Sequence, residues 1–137
     1  MKNLLIDTNI ILDLLAKREP FYTFAAALFS LADKKKIKLY TSSFSIINTN
    51  YILSKSLSEK EAKEILRKFR ILVKILPCDE KIIDLGLNSH FTDYEDAVQY
   101  FTATENKIDC IITRNLKDFK NSKIPVFTAE EFLKLHK

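Results

Sequence analysis

Leu4-Leu5-Ile6-Asp7-Thr8-Asn9-Ile10-Ile11-Leu12 is the stretch on which the fold turns. A short apolar run stops at an acid, and a second apolar segment restarts three residues later. Taken as a buried parallel strand running into a helix, it puts Asp7 at the carboxyl end of the strand, where open α/β sheets bind their ligands. A carboxylate there is costly to bury unless something positive compensates it.

Outward from this junction, apolar spacing alternates between short runs and helical periods, as a β–α sheet requires. Residues 3–7 read as the first strand and residues 9–17 as a helix. Pro20 interrupts the pattern, and residues 21–35 read as a second helix, with Phe24, Ala25, Leu28, Phe29, Leu31 and Ala32 at helical spacing. Residues 37–40 form a strand candidate, and Thr41-Ser42-Ser43 is a cap cluster for a helix over 44–55. Ser58-Glu59-Lys60-Glu61 has capping-box form and opens a helix to about residue 74. That helix overlaps an extended segment, 71–76, which Pro77 stops. Asp79 caps a helix to about residue 90, and Thr92-Asp93-Tyr94-Glu95 is a second capping-box match opening a helix to residue 106. Residues 110–112 and 125–127 are the late strands, and Thr128-Ala129-Glu130-Glu131 caps the final helix. No linker, repeat or low-complexity tract breaks the pattern. The expectation is one domain over residues 1–137, a three-layer α/β/α sandwich around a short, mostly parallel, Rossmann-like sheet.

Composition narrows the chemistry. The 137 residues are 47% hydrophobic and 29% charged, ordinary for a globular chain. No run reaches the roughly 18 apolar residues of a membrane helix. Met1-Lys2-Asn3 leads directly into strand-like sequence without a signal-peptide cleavage region, so a cytoplasmic protein with no membrane association is expected. Cys78 and Cys110 lack metal-type spacing and read as buried free thiols. A net charge of +4 suits a nucleic-acid partner without requiring one. Gly86 is the sole glycine, which rules out a P-loop or dinucleotide fingerprint. His90 and His136 are far apart in sequence and leave little for a histidine base. Carboxylate, amide, hydroxyl and lysine remain.

The acids fall in a pattern. Asp93, Glu95 and Asp96 cluster where the helix near residue 94 begins. The strand 110–112 ends in Thr113-Arg114-Asn115, followed by Asp118-Phe119, and Asn48 lies within the helix 44–55. In a parallel sheet, Asp7 and Thr113–Asn115 share one edge. At an effective dielectric near 20, two carboxylates about 4 Å apart repel by roughly 4 kcal/mol. A divalent cation removes that cost, and all-oxygen ligands suit Mg²⁺ or Mn²⁺. Such a metal polarises a phosphoryl oxygen and activates water for phosphodiester cleavage, while Thr8, Thr113 and Asn115 position water or phosphate without adding charge.

Plainer readings stand beside these. Asp7 can cap the helix that follows. Asp93 and Glu95 are favourable at any helix N-terminus. Asn48 can be a satisfied core amide and Asp118 a turn residue. Lys34-Lys35-Lys36 reads as a solvated helix end. The charges of the helix from Ser58 read as the solvent side of an apolar face made by Ala62, Ile65, Leu66, Phe69 and Val73. Asp96 resists such a reading, because it sits a turn into its helix and precedes Ala97, Val98, Tyr100 and Phe101.

Taken in order, these residues resemble the PIN-domain family, especially its short bacterial VapC-like toxin ribonucleases. The resemblance covers essentially the whole chain. It rests on Asp7-Thr8-Asn9 after the first strand, Asp96-Ala97 with its helix, and Thr113-Arg114-Asn115 with Asp118-Phe119 after a late strand. It implies a Rossmann-like sheet, an acidic Mg²⁺ or Mn²⁺ site and endoribonuclease activity on RNA. It further implies a homodimer and an antitoxin protein partner. On this resemblance Asp7 is the first metal ligand and Asp96 the third acid. Asn48 stands where the second acid would be, and Asn115 where the fourth would be. Asp93 is the added acid, completing a metal set of Asp7, Asp96 and Asp93, with Asn115 and Asn48 orienting water. Thr8, Asn9, Glu95, Thr113 and Asp118 support the site, and Arg114 and lysines steer the phosphate backbone. The two amides remove two negative charges, which implies one well-held metal and at most a weak second. They also motivate an alternative, a catalytically weak PIN-like module that binds RNA or a protein partner. A third reading is an unrelated Rossmann-like phosphatase with Asp7 as nucleophile.

Overall fold

Leu4, Leu5 and Ile6 are all completely buried, yet they serve different layers. They lie in β1 (Lys2–Ile6), whose side chains alternate between faces. Leu4 and Ile6 join Ile10, Leu28, Phe29, Phe69 and Phe132 in one core. Leu5 faces a second core with Tyr100, Ala103, Ile111 and Phe119. A strand covered on both faces carries a continuous apolar run instead of an alternating one. This is the expected three-layer α/β/α sandwich, seen in a computed structural model that describes residues 1–136.

After β1 the chain forms α1 (Thr8–Leu15) and α2 (Phe21–Asp33), then β2 (Ile37–Ser42). Next come α3 (Ser43–Ser56), α4 (Glu59–Phe69) and β3 (Lys74–Leu76). The second half runs α5 (Glu80–Leu87), α6 (Tyr94–Glu105), β4 (Cys110–Ile112), a 3-10 turn (Leu116–Phe119), β5 (Val126–Phe127) and α7 (Ala129–Leu135). The five strands lie in the order β3-β2-β1-β4-β5. Every pairing is parallel, so the sheet is wholly rather than mostly parallel.

Register positions the site. Ile6 pairs with Ile112, which sets Asp7 beside Thr113 at the carboxyl edge. The ladder runs one step past each strand: Asp7 N–H donates to the Ile112 carbonyl and Thr113 N–H to the Phe127 carbonyl, both at 3.0 Å. Residues 106 positions apart are thereby brought side by side by backbone pairing.

Local chemistry explains most boundaries. Ser58 and Glu61 form the expected capping box of α4, and Thr128 with Glu131 that of α7. Asp79 caps α5 as expected, but the helix stops at Leu87 rather than near residue 90. The expected helix to residue 74 ends at Phe69 instead. Val73 is buried, as its place in the helical pattern suggested, but it reaches the core from the approach to β3, while Ile71 is 85% exposed. The cap of α6 is Asp93, not Thr92: the Asp93 carboxylate accepts the Asp96 N–H at 3.1 Å. Two adjacent cap residues followed by Tyr94-Glu95-Asp96 admit either frame, and the helix takes the one with Asp96 at its third position. Cys110 is buried and Cys78 half-buried, and both are free thiols. Gly86 lets α5 approach α6 closely, since a Cβ there would lie 3.1 Å from the Tyr94 ring.

Phe69 is the hinge of the larger core, 2% exposed and packed edge-on against Phe29 with ring centroids 5.6 Å apart. Phe69→Ala is expected to cost about 3–5 kcal/mol of unfolding free energy in a urea titration. A loss under about 1 kcal/mol would mean that this core tolerates the cavity and α4 is not anchored through it.

Candidate active site

Asp7 is the last residue of the β1 line and the N-cap of α1, with extended backbone angles of φ −76° and ψ 162°. The capping reading is therefore correct, and incomplete. One carboxylate oxygen, Oδ1, accepts the Thr8 N–H at 2.8 Å and the Gln99 side-chain amide at 3.1 Å. The other, Oδ2, accepts the Thr113 hydroxyl at 2.8 Å, with a longer contact to the Asn9 amide at 3.5 Å. The group is only 8% exposed. Burial raises its pKa above the ordinary 3.8, against the lowering effect of the Thr113, Thr8 and Gln99 hydrogen bonds. Its donors do not repay the loss of water.

Asp96 faces the same cleft from the first turn of α6. Its pKa is raised to about 7 by burial first, then by repulsion from Asp93, Asp7, Asp118 and Glu95. The cleft brings Asp7, Asp96, Asn48, Asn115 and Glu95 to one surface, with Thr8 and Asn9 on its α1 side. Asn48 arrives from α3 and Asn115 from the turn after β4, so four of the five expected catalytic positions converge. Asp93 does not line this cleft. Its carboxylate is engaged at the helix cap, and among the described residues no group of three or more acids, histidines or cysteines converges as a metal cluster. The expected set of Asp7, Asp96 and Asp93 is thus not assembled, because capping turns Asp93 back onto its own helix. Asp118 lies in the 3-10 turn and also stays outside the lining, acting on Asp7 and Asp96 only through its charge.

Three residues were not singled out from the sequence. Gln99 is 2% exposed, and its amide nitrogen bridges Asp7 and the Ser45 hydroxyl, the latter at 2.6 Å. Its own oxygen is buried without a hydrogen-bond partner. Ser45 also accepts the Thr8 hydroxyl at 2.9 Å, tying α1, α3 and α6 together beneath the acid. Gln99 lies three residues after Asp96, on the same helix face, which is the one signal that could have found it. The third residue is Asp13, 1% exposed and bound in a fork by Arg114 at 2.8 and 3.1 Å. Arg114 also lies over the Phe21 ring, 4.1 Å from its centroid. It is a fixed structural partner, not the free phosphate-steering cation expected. Lys34, Lys35 and Lys36 precede β2, so they sit at the amino edge of the parallel sheet, away from the acids.

The remaining donors are the carboxylates of Asp7 and Asp96, with Glu95 and the Asn48 and Asn115 amides lining the same cleft, all hard oxygen ligands. A buried carboxylate held short of full compensation, beside a second whose proton is retained by burial first and by neighbouring acids second, fits a divalent cation.

Comparison with known proteins places this geometry in context. The PIN domain matches residues 3–117. Ribonuclease VapC1 of Aquifex aeolicus (strain VF5) is 30% identical over 132 residues, covering 93% of this chain and 90% of that protein. Among solved structures, FitAcB from Neisseria gonorrhoeae superposes with a TM-score of 0.72 at 18% identity, covering 93% of this chain and 98% of that one. VapBC2 from Rickettsia felis bound to a DNA fragment from their promoter gives 0.70 at 19%, covering 91% of this chain and 96% of that one. These two structural likenesses establish the shared fold.

The raised pKa values fix a pH dependence. Between the ordinary 3.8 and about 7 the folded chain holds protons, on Asp96 and in the same direction on Asp7, that the unfolded chain releases. Stability of the metal-free protein therefore falls as pH rises through that window. Asp96→Asn should flatten the fall in urea titrations run across it. A slope unchanged in that variant would contradict the charge crowding described here.

Proposed function

The chain belongs to the PIN-domain family and is homologous to the VapC ribonucleases, and from that premise we propose that it is a Mg²⁺- or Mn²⁺-dependent endoribonuclease, the toxin of a type II toxin–antitoxin pair. The observation that carries this reading is the convergence of Asp7 and Asp96 with Asn48 and Asn115 in one cleft at the carboxyl edge of the sheet. Divalent-metal dependence is general among PIN ribonucleases, and Mg²⁺ or Mn²⁺ is assigned because every donor here is a hard oxygen.

Asp7 and Asp96 would hold the cation. When bound, it supplies charge neutralisation at the scissile phosphate and activation of water. The rest falls to the chain's own side chains. Asn48 and Asn115 orient water and a phosphate oxygen through amide groups that add no charge. Thr113 and Gln99 are positioning residues: each donates to one oxygen of Asp7 and fixes the plane of its carboxylate. Ser45 and Thr8 hold Gln99 and α1 in register beneath it.

A toxin–antitoxin complex from Klebsiella pneumoniae, which shares the fold with a TM-score of 0.68 at 24% identity over 92% of this chain and 97% of that one, supports an antitoxin protein as partner, and RNA is the proposed substrate. A homodimer is supported by Ile47 and Tyr51, one turn apart on α3 and 71% and 60% exposed, an apolar face that water does not favour. Among the described residues no helix is long and apolar enough to cross a membrane. We assign the protein to the cytoplasm and the whole chain to a single domain. A second reading, a module that binds RNA or a partner with little turnover, is favoured by the amides at positions 48 and 115. Mn²⁺ that raises the melting temperature without RNA cleavage would select it.

Asp7→Asn preserves the shape of the site and removes its buried charge. It should lower Mn²⁺-stimulated cleavage of RNA about a hundred-fold or more, the effect of losing several kcal/mol of charge stabilisation, with circular dichroism unchanged. Undiminished metal-dependent cleavage in this variant would sink the proposal.

A further inference from the structure

Beside the catalytic cleft lies a second cavity, of about 230 Å³, which the proposed reaction leaves unused. The two share a wall. Asn115 lines both, and α1 stands between them, turning Thr8 and Asn9 to the catalytic side and Ile10 and Asp13 to the other. The turn after β4 divides in the same way, since Thr113 reaches Asp7 while Arg114 reaches Asp13. A strand of RNA with a phosphate at Asp7 therefore has a neighbouring recess within reach of the same nucleotide or the next.

The recess has an apolar floor of Ile10, Phe24 and Ala129 and a polar rim of Arg114, Thr128 and Glu130. Part of its wall is planar and rigid before any ligand arrives. The Arg114 guanidinium is locked by two bonds to the buried Asp13 and lies over the Phe21 ring, 4.1 Å from its centroid, and Phe21 is itself 40% exposed. We propose that this cavity takes one nucleobase of the RNA strand whose phosphate occupies the catalytic cleft. The proposal rests on the endoribonuclease reading. Single-stranded RNA is recognised by unstacked bases laid against aromatic rings and guanidinium planes, with their edges read by hydrogen bonds. Glu130 supplies such a reader. Among the described residues its carboxylate meets only Lys134, at 3.1 Å in an exposed pair that solvent screens, so it can accept from a base. Two adjacent N–H donors suit a carboxylate fork, so guanine, with N1–H and N2–H, is the base this rim favours. An aliphatic peptide side chain would fill the floor but offer the Glu130 carboxylate no donor.

Binding, not cleavage, tests the site. A set of 2′-O-methylated oligoribonucleotides carrying an abasic residue at each position in turn is titrated against the full chain in Mn²⁺ by fluorescence anisotropy. One position should weaken binding to the wild-type protein about ten-fold, as loss of a base stacked on an aromatic does. That penalty should disappear in Phe21→Ala, and Glu130→Gln, a surface change that leaves folding intact, should remove the preference for guanine there. Absence of any sensitive position, or a penalty and preference retained in both variants, would overturn the proposal. So would variants that weaken binding of a protein partner and leave RNA binding intact. An uncleaved natural RNA with the abasic penalty present defeats the ribonuclease reading alone. Cleavage without the penalty defeats the base site alone.

Discussion

A carboxylate sealed at the carboxyl edge of a parallel sheet sets the terms for everything around it. Asp7 is placed there by backbone pairing, because β1 and β4 run side by side and the register that joins Ile6 to Ile112 leaves no other position for the next residue. Its burial has to be answered, and the answers come from separate elements: the α1 backbone through Thr8, α6 through Gln99, and the end of β4 through Thr113. Hydrogen bonds to a charged group contribute about 1.5–3 kcal/mol each. Even so, burial outweighs them, and the carboxyl holds its proton above the ordinary range. The protein has organised the site up to the point where only a positive charge completes it.

That deficit explains the neutral company the acid keeps. The positions where the family resemblance implied two further acids hold Asn48 and Asn115, and the group bridging Asp7 to α3 is the amide of Gln99. Amides give oxygen donors and fixed dipoles without adding to the repulsion that, after burial, keeps a proton on Asp96. The one arginine near the site is neutralised by the buried Asp13, and breaking such a pair costs more than the pair itself contributes. Arg114 therefore acts as a brace between α1, the turn after β4 and the ring of Phe21. Positive charge from Lys34-Lys35-Lys36 is exiled to the far edge of the sheet.

Much of this was legible in the chain. The short apolar runs around Leu4–Ile6 and Cys110–Ile112 mark strands buried on both faces, and an acid or threonine directly after each marks a sheet edge. Chain order then brought Asp7, Asp96 and Asn115 together correctly. Where neighbouring residues compete for one local role, the reading slipped: Thr92 and Asp93 can both cap α6, and the choice of Asp93 withdraws it from the cleft. The overlong α4 came from Val73, which is buried for reasons of sheet entry and not of helical period. Gln99, Ser45 and Asp13 went unnoticed because polar residues inside amphipathic helices are ordinary until their partners are known. The partners that give them their roles are 37 to 101 positions away.

The measurement that bears most directly on this account is anomalous diffraction from crystals soaked in Mn²⁺, with Asp7→Asn crystals treated identically. The account predicts a Mn²⁺ peak coordinated by Asp7 and Asp96 in the native protein and its loss in the variant. A peak that persists without the Asp7 charge, or none between these two acids in the native crystal, would contradict the claim that the buried carboxylate is built for a divalent cation.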